Sequence, residues 1–540
     1  MPAFLALPEQ AEGLARRGPE LPDQKGQGAP RKRVLSLWLA LLGESLRRHQ
    51  RLIQQIQWAI VLIYLVLVAV PAFLPLPGRL AHIWDNLTIF AQFAFWGIWW
   101  PFVLLSMALV GRAWCGLFCP EGTLSEAASR IGKGHAVPRW ITWKGWPFVA
   151  FALTTIYGQM VSVYQYPKPA LLILGGSTLG AIAIGYLYGR NKRVWCRYLC
   201  PVNGVFGLLA KLAPLHFRTD QAAWRISRQS GNAGVRALNC APLVAVKTMQ
   251  GAAQCHMCGR CSGFRGAISL AARSPSHEIV HVAGAAPRPW ESVLIIFGLM
   301  GIAIGAFHWS VSPWFVALKQ ALASWLVAHD VLWPLALQPP WWILTNYPSA
   351  NDRMNFLDGC ALLFYILAAA LAMGALVSLF LWLAARILGP SPSIRFHHLA
   401  QSLIPVAGCG VFLGLSGITV SMLRAEGFEL DFVGPLRAAL LGAAALWSIV
   451  LGWKIAGLNT SVMAGPRVKP ADGPAIQTSK TRGWMPGSIA GLDPGTGMTA
   501  WVTRRYYISR ILRQFAAAVC VALAVLAGAA SWSVYFWVWQ

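Results

Sequence analysis

Nine mostly apolar stretches of about twenty residues or more run through this chain. They lie near 54–76, 88–110, 145–164, 170–188, 290–311, 357–385, 397–423, 435–456 and 511–535. A helix needs roughly 20 apolar residues to cross the hydrocarbon of a bilayer. Each stretch therefore reads as a spanning helix, and the predicted fold class is an all-α polytopic membrane protein with about nine transmembrane helices. Residues 313–345 are apolar too, but Pro313, Pro334, Pro339 and Pro340 break them into an interfacial or re-entrant segment. Composition agrees: 56% of the 540 residues are hydrophobic and 12% charged, about half the charged share of a soluble domain. An ordinary soluble enzyme is excluded, and so is disorder along the whole chain, which needs low hydrophobicity.

The formal net charge is +26. In a soluble protein that would suggest nucleic acid. Its distribution says otherwise. With the N-terminus inside, 39 of the 45 Lys and Arg fall in inner segments and 6 in outer ones. This is the bias that orients membrane proteins; it sets the expected orientation and removes the case for a nucleic-acid partner. Residues 1–53 read as a basic cytoplasmic segment rather than a secretory signal. The Gly-, Pro-, Ser- and Thr-rich stretch 457–507 reads as a flexible cytoplasmic loop. Trp-rich edges such as Trp99-Trp100 and Trp341-Trp342 suit the membrane interface.

Eight of the eleven Cys fall in two inner segments. One group is Arg112-Ala113-Trp114-Cys115-x3-Cys119-Pro120, the other Arg193-Val194-Trp195-Cys196-x3-Cys200-Pro201. They repeat one motif, basic-x-W-C-x3-C-P, 81 residues apart. Each follows a span running inward, so spans one to two and three to four look like an internal repeat. If the motif is helical, Cys at i and i+4 share a face. Two such pairs supply four thiolates for one iron–sulfur cluster. Disulfides are a poor explanation in a reducing cytoplasm, and two matched motifs speak against mere core packing, the usual role of an isolated buried Cys.

The third group is Cys255-x2-Cys258-x2-Cys261, with Cys240 fifteen positions upstream. Its spacing matches the first three ligands of the bacterial ferredoxin pattern. The fourth position is Arg265, which cannot ligate iron because guanidinium has no acceptor. Cys240, followed by Ala241-Pro242, is the best candidate to complete the set, and His256 a weaker one. A four-thiolate zinc site is the alternative, but zinc ligands usually come as two C-x2-C pairs. Arg260 and Arg265 stand ready either to offset negative charge on a reduced cluster or simply to contact the membrane surface. Cys360, Cys409 and Cys520 lie alone in apolar spans and read as core. Only His308 falls well within a span, which gives little support to a haem. Intramembrane charge is sparse, with Asp358 and Glu291 at span ends, and this argues against a permease acting alone.

The paired C-x3-C-P motifs, followed by a cluster-binding segment, resemble the membrane polyferredoxins over about residues 50–275. That family includes the quinol-dehydrogenase subunit of periplasmic nitrate reductase. The stretch Cys255 to Gly266 resembles the branch that accompanies bacterial iron permeases, a periplasmic cupredoxin and a periplasmic iron-binding protein. The resemblance implies two [4Fe–4S] clusters, held by Cys115, Cys119, Cys196, Cys200, Cys240, Cys255, Cys258 and Cys261. It implies a place in the bacterial inner membrane and electron transfer between a cytoplasmic or quinone pool and a periplasmic partner. A quinone or haem could complete the path. The chain departs from the family in lacking two complete ferredoxin motifs and in having five spans after residue 289.

The resulting organisation is a basic segment (1–53), a four-helix repeat (54–212), an iron–sulfur segment (213–289), a second membrane region (290–456), a loop (457–507) and a last helix (508–540). The rival reading is a copper or zinc transport or delivery protein, since soft thiolates also select those metals. Its weakness is that the twelve Met are scattered.

Overall fold

The computed structural model describes residues 30–78, 80–229, 238–285, 288–458 and 497–539. The first 29 residues of the expected basic segment and 459–496 of the expected loop lie outside the described residues. In chain order, helix α1 (Pro30–Arg48) leads into α2 (Gln50–Phe73) and α3 (Leu87–Val110). The short helices α4 (Ala113–Leu117) and α5 (Pro120–Arg130) follow. Next come α6 (Trp146–Met160), α7 (Pro167–Tyr188), α8 (Val194–Tyr198) and α9 (Asn203–Leu212). Strand β1 (Leu215–Thr219), helix α10 (Gln221–Gln229) and strand β2 (Ile268–Ala272) form a small extramembrane unit. The second membrane region holds α11 (Pro289–His308), α12 (Pro313–Ala328), α13 (Phe356–Ile387), α14 (Pro392–Ala425), α15 (Val433–Ala456) and α16 (Gly497–Trp537).

Among the described residues, eight helices are long and apolar enough to cross a membrane. Eight of the nine expected spans are thus recovered within a few residues. The exception is the third, expected at 145–164, where α6 has 15 residues. At 1.5 Å per residue that is about 22 Å, short of the roughly 30 Å hydrocarbon core. Hydropathy registers the apolar stretch but not where its helix stops. The 337–353 loop binds the end of α6 and the turn that follows it. The Thr345 N–H donates to Met160 O at 2.9 Å, Ser162 and Thr345 share a hydroxyl hydrogen bond of 2.7 Å, and Tyr166 donates to Asp352 at 2.8 Å. The proline-broken 313–345 segment forms α12, a single helical turn at Trp333–Ala336 and irregular turns. Asp358, at the start of α13, closes a capping box with Asn355, each accepting the other's backbone N–H at 2.9 Å. Such a box satisfies donors the first helical turn leaves open.

Three helices widen into π-helical turns, at Phe93–Trp99, Leu171–Gly175 and Leu294–Ile302. The first two occupy the early part of α3 and α7, the spans that lead into the two cysteine motifs. Wide turns of this kind often mark functional sites.

In the second region the cores of α11 and α13 meet through small residues. A Cβ on Gly301 would lie 2.9 Å from the Ala370 Cα, and one on Gly305 3.1 Å from the Ile366 Cα. The two glycines are four apart and face one helix, the small-xxx-small pattern that lets membrane helices approach closely. Substituting Gly301→Leu is expected to cost about 1–3 kcal/mol through overpacking, seen as a lower thermal unfolding midpoint in detergent. A variant that melts with the parent would contradict this close approach.

Candidate metal centres

The two repeated motifs fold alike. In each, the span ends, a five-residue helix carries the first Cys, and the chain then breaks before Pro. Phe118 and Cys119 N–H groups both donate to Trp114 O, at 2.9 and 3.0 Å, and Leu199 and Cys200 donate to Trp195 O at the same distances. The condition for a shared helix face, one helix running from i to i+4, is therefore not met. Pro120 and Pro201 bias the residue before them away from helical backbone, and Cys119 is extended, with φ −64° and ψ 118°. Each motif is a tight turn, not one helix face. Cys119 now caps α5, its Sγ accepting the Gly122 N–H at 3.4 Å. A helix N-terminus favours the thiolate form.

Cys115, Cys119, Cys196 and Cys200 line one chamber of about 240 Å³. Its walls are aromatic and apolar, including Tyr64, Phe95, Trp96, Trp99 and Trp100, and the first two π-helical turns contribute to them. Glu121 faces the same space, and its carboxylate accepts the Trp195 indole N–H at 3.2 Å. Burial pushes the Cys196 thiol up to about 12; Arg193 pulls the other way, while Cys115 and Glu121 add to the rise. Burial also raises Cys119 and Cys200, and the neighbouring thiols of the set reinforce it. Thiols crowded in this way offer the thiolate charge that a cationic iron core would neutralise.

The second set belongs to the extramembrane unit. Strands β1 and β2 pair antiparallel, with Phe217 opposite Leu270, both buried. The chain between them brings Cys240, Cys255, Cys258 and Cys261 around a second, tight cavity of about 20 Å³. Left-handed turns at Met257, Gly259 and Gly263 (φ 54°, 74° and 72°) wind the segment on itself. They turn backbone N–H groups toward sulfur: Met257 donates to Cys255 Sγ at 3.4 Å. Burial pushes Cys255 up to about 12 and raises Cys261 and Cys240 as well; each also feels other members of this quartet. Cys240, expected from its place fifteen residues upstream, thus joins the other three. Arg265 turns away, its guanidinium over the Trp224 ring. Among the described residues no group of three or more His, Cys, Asp and Glu side chains is arranged to hold one metal ion. A cubane cluster asks for something else, since each of its four thiolates binds a different iron.

The two sets abut. His256 is buried and lines both cavities. A Cβ on Gly116, within the first motif, would lie 2.0 Å from His256 O and 2.9 Å from Cys258 N. Glycine is required at this crossing. Arg193, 2% exposed, donates through Nε to Glu126 at 2.7 Å, through Nη1 to Cys115 O at 2.7 Å, and through its backbone N–H to Ala241 O at 2.8 Å. Arg260 reaches the other Glu126 oxygen at 2.7 Å. Burial alone would raise the Glu126 carboxyl, but Arg193 and Arg260 outweigh it and hold it below the usual carboxylate range. Arg112, the matching residue of the first motif, donates to Ala253 O at 3.1 Å and Asn203 at 2.8 Å. From α2, Gln50 donates to Cys258 O and Gln57 to Gly116 O, both at 2.9 Å.

The repeated basic residue was visible in the sequence, but not its use as a strut. Glu121, Glu126, Gln57 and Gly116 carried no sequence signal, because their roles arise across long separations. Removing the shared carboxylate by Glu126→Ala leaves two guanidinium groups without their anion. We expect a loss of about 3–5 kcal/mol, measured as a fall in the thermal midpoint of the purified protein.

The comparisons with known proteins bear on the two repeated motifs. The 4Fe-4S binding domain family matches residues 92–137 and 171–219, one match over each motif and its preceding span. YccM of Escherichia coli (strain K12), which bears the name of an electron transport protein, is 26% identical over 235 residues, 38% of this chain and 62% of YccM. The regulatory protein NosR of Pseudomonas aeruginosa is 25% identical over 213 residues, 33% of this chain and 28% of NosR. The chain thus spans less than two thirds of either relative. No solved structure matches. With its duplicated 4Fe-4S binding domain and eight apolar helices of spanning length, the chain is a multi-pass membrane protein similar to the membrane polyferredoxins.

Proposed function

We propose that the protein carries electrons between a cytoplasmic or quinone pool and a periplasmic redox partner, using two [4Fe–4S] clusters. Cys115, Cys119, Cys196 and Cys200 hold one; Cys240, Cys255, Cys258 and Cys261 hold the other. The observation that carries this reading is the contact of the two quartets through Gly116 and His256. Such clusters supply one-electron storage at a potential set by ligation, hydrogen bonds to sulfur and burial. The protein's own groups do the tuning. The Gly122 and Met257 N–H groups donate to Cys119 and Cys255 sulfurs and favour the thiolate. Arg193 feels Cys196 in one quartet and Cys258 in the other, so one cation serves both. The apolar aromatic walls keep water from the first set.

Both quartets lie on the face we assign to the cytoplasm, with the bacterial inner membrane as the site of action. The chamber above the first quartet extends into the helices, and Thr154, Thr155 and Ser177 are polar groups on its wall. Its apolar lining with sparse polar groups suits a quinone ring. A haem has less support: His308 is boxed by the rings of Trp532, Tyr535 and Trp539, with centroids 5.2–5.8 Å away. In the iron-uptake version, the outer partner is a cupredoxin or iron-binding protein working beside an iron permease. The proposed divisions are those of the sequence: the repeat at 54–212 and the iron–sulfur segment at 213–289, joined by the Glu126 contacts.

Anaerobically purified protein is expected to hold about eight iron and eight acid-labile sulfide per chain. Cys196→Ala and Cys258→Ala are each expected to lower both counts to about four while keeping the signal of the other cluster. Copper or zinc without sulfide in the parent would overturn the reading in favour of metal delivery.

A further inference from the structure

The cysteine position that the ferredoxin pattern assigns to a fourth ligand is Arg265 here, and its placement has its own logic. Arg265 adopts the left-handed conformation, φ 56°. Its guanidinium lies over the rings of Trp224 and Phe264, 5.7 and 5.6 Å from their centroids, and Nη1 donates to Ser227 at 3.5 Å. The side chain is planted on an aromatic floor at the mouth of an open groove of about 490 Å³. Cys240 lines that groove, with Lys192 and Lys247 as its other cations. Lys192 donates to the Cys240 carbonyl at 3.1 Å. Among the described residues no carboxylate lines the groove. Asp220, at the head of α10, is occupied as that helix's cap, accepting the Ala222 and Ala223 N–H groups.

We propose that this groove is the docking surface of a small acidic electron-carrier protein, which exchanges one electron with the centre held by the Cys240 quartet. The inference rests on that quartet holding a cluster. Recognition is by charge: three cations ring a depression that a cysteine of the proposed redox site lines, and complementary potentials steer such encounters. Stacking of a flavin or nucleotide is disfavoured, because Arg265 already covers the Trp224 and Phe264 rings. A second copy of this chain, with net charge +26, is repelled. In the exchange the docked carrier loses one electron and the Cys240-ligated centre gains it, with no bond made or broken.

The test uses the full-length protein in phosphatidylcholine nanodiscs and measures equilibrium binding by biolayer interferometry. The probes are an acidic [2Fe–2S] ferredoxin and, as a basic redox protein of similar size, cytochrome c. The expected result is binding of ferredoxin but not cytochrome c, weakened by salt and at least about tenfold by Lys247→Glu with Arg265→Glu. The exposed Lys247→Glu alone, which leaves the aromatic contacts in place, is expected to weaken it about threefold. Iron and sulfide are counted on the same samples. Full counts with no ferredoxin binding, equal binding by the charge-reversed protein, or capture of phosphatidylglycerol vesicles instead of ferredoxin would each overturn the docking site alone. A parent without sulfide would overturn the functional reading beneath it.

Discussion

A buried carboxylate between two guanidinium groups ties this molecule together. Glu126 stands on α5, immediately after the first cysteine motif; Arg193 begins the second motif; Arg260 lies within the extramembrane cysteine segment. Three parts of the chain that are far apart in sequence meet on one side chain. A buried charge is costly unless paired and hydrogen-bonded, so the three cannot separate without exposing or stranding charge. The glycine at 116 makes the same junction sterically, since any side chain there would strike the His256 and Cys258 backbone. Both devices hold the two quartets against each other.

The membrane helices serve this junction. The spans α3 and α7 deliver the two motifs to the same end of the bundle, and their π-helical turns shape the aromatic chamber beside the first quartet. The second quartet rests on a two-stranded sheet. Helix α1 covers it: a Cβ on Gly43 would lie 2.8 Å from Ser262 Oγ and 3.2 Å from Leu270 Cβ. The extramembrane cysteine segment is thus tied to the membrane part.

Much of this was legible in the sequence because the signals are local. Apolar length marks the spans, and the twin C-x3-C-P motifs and the Cys255 triplet mark the two cysteine quartets. Cys240 could be chosen because Arg265 cannot ligate. The short α6 was not legible, since the same apolar stretch suits a helix of 15 residues or 20. Whether each Cys pair shares one helix face was left open by the spacing, and Pro120 and Pro201 settle it by resetting the backbone before them. Gly301 and Gly305 carry no meaning in an apolar span until α13 supplies the facing backbone. Glu126 and Gly116 are tertiary features with no local pattern, and they proved to matter most.

The central claim is that two iron–sulfur centres sit side by side at the two quartets. Anomalous X-ray scattering at the iron absorption edge, on crystals of the anaerobic protein, tests it most directly. Two iron peaks are expected, one enclosed by Cys115, Cys119, Cys196 and Cys200 and one by Cys240, Cys255, Cys258 and Cys261. A single iron peak, or peaks that appear at the zinc or copper edge instead, would contradict it.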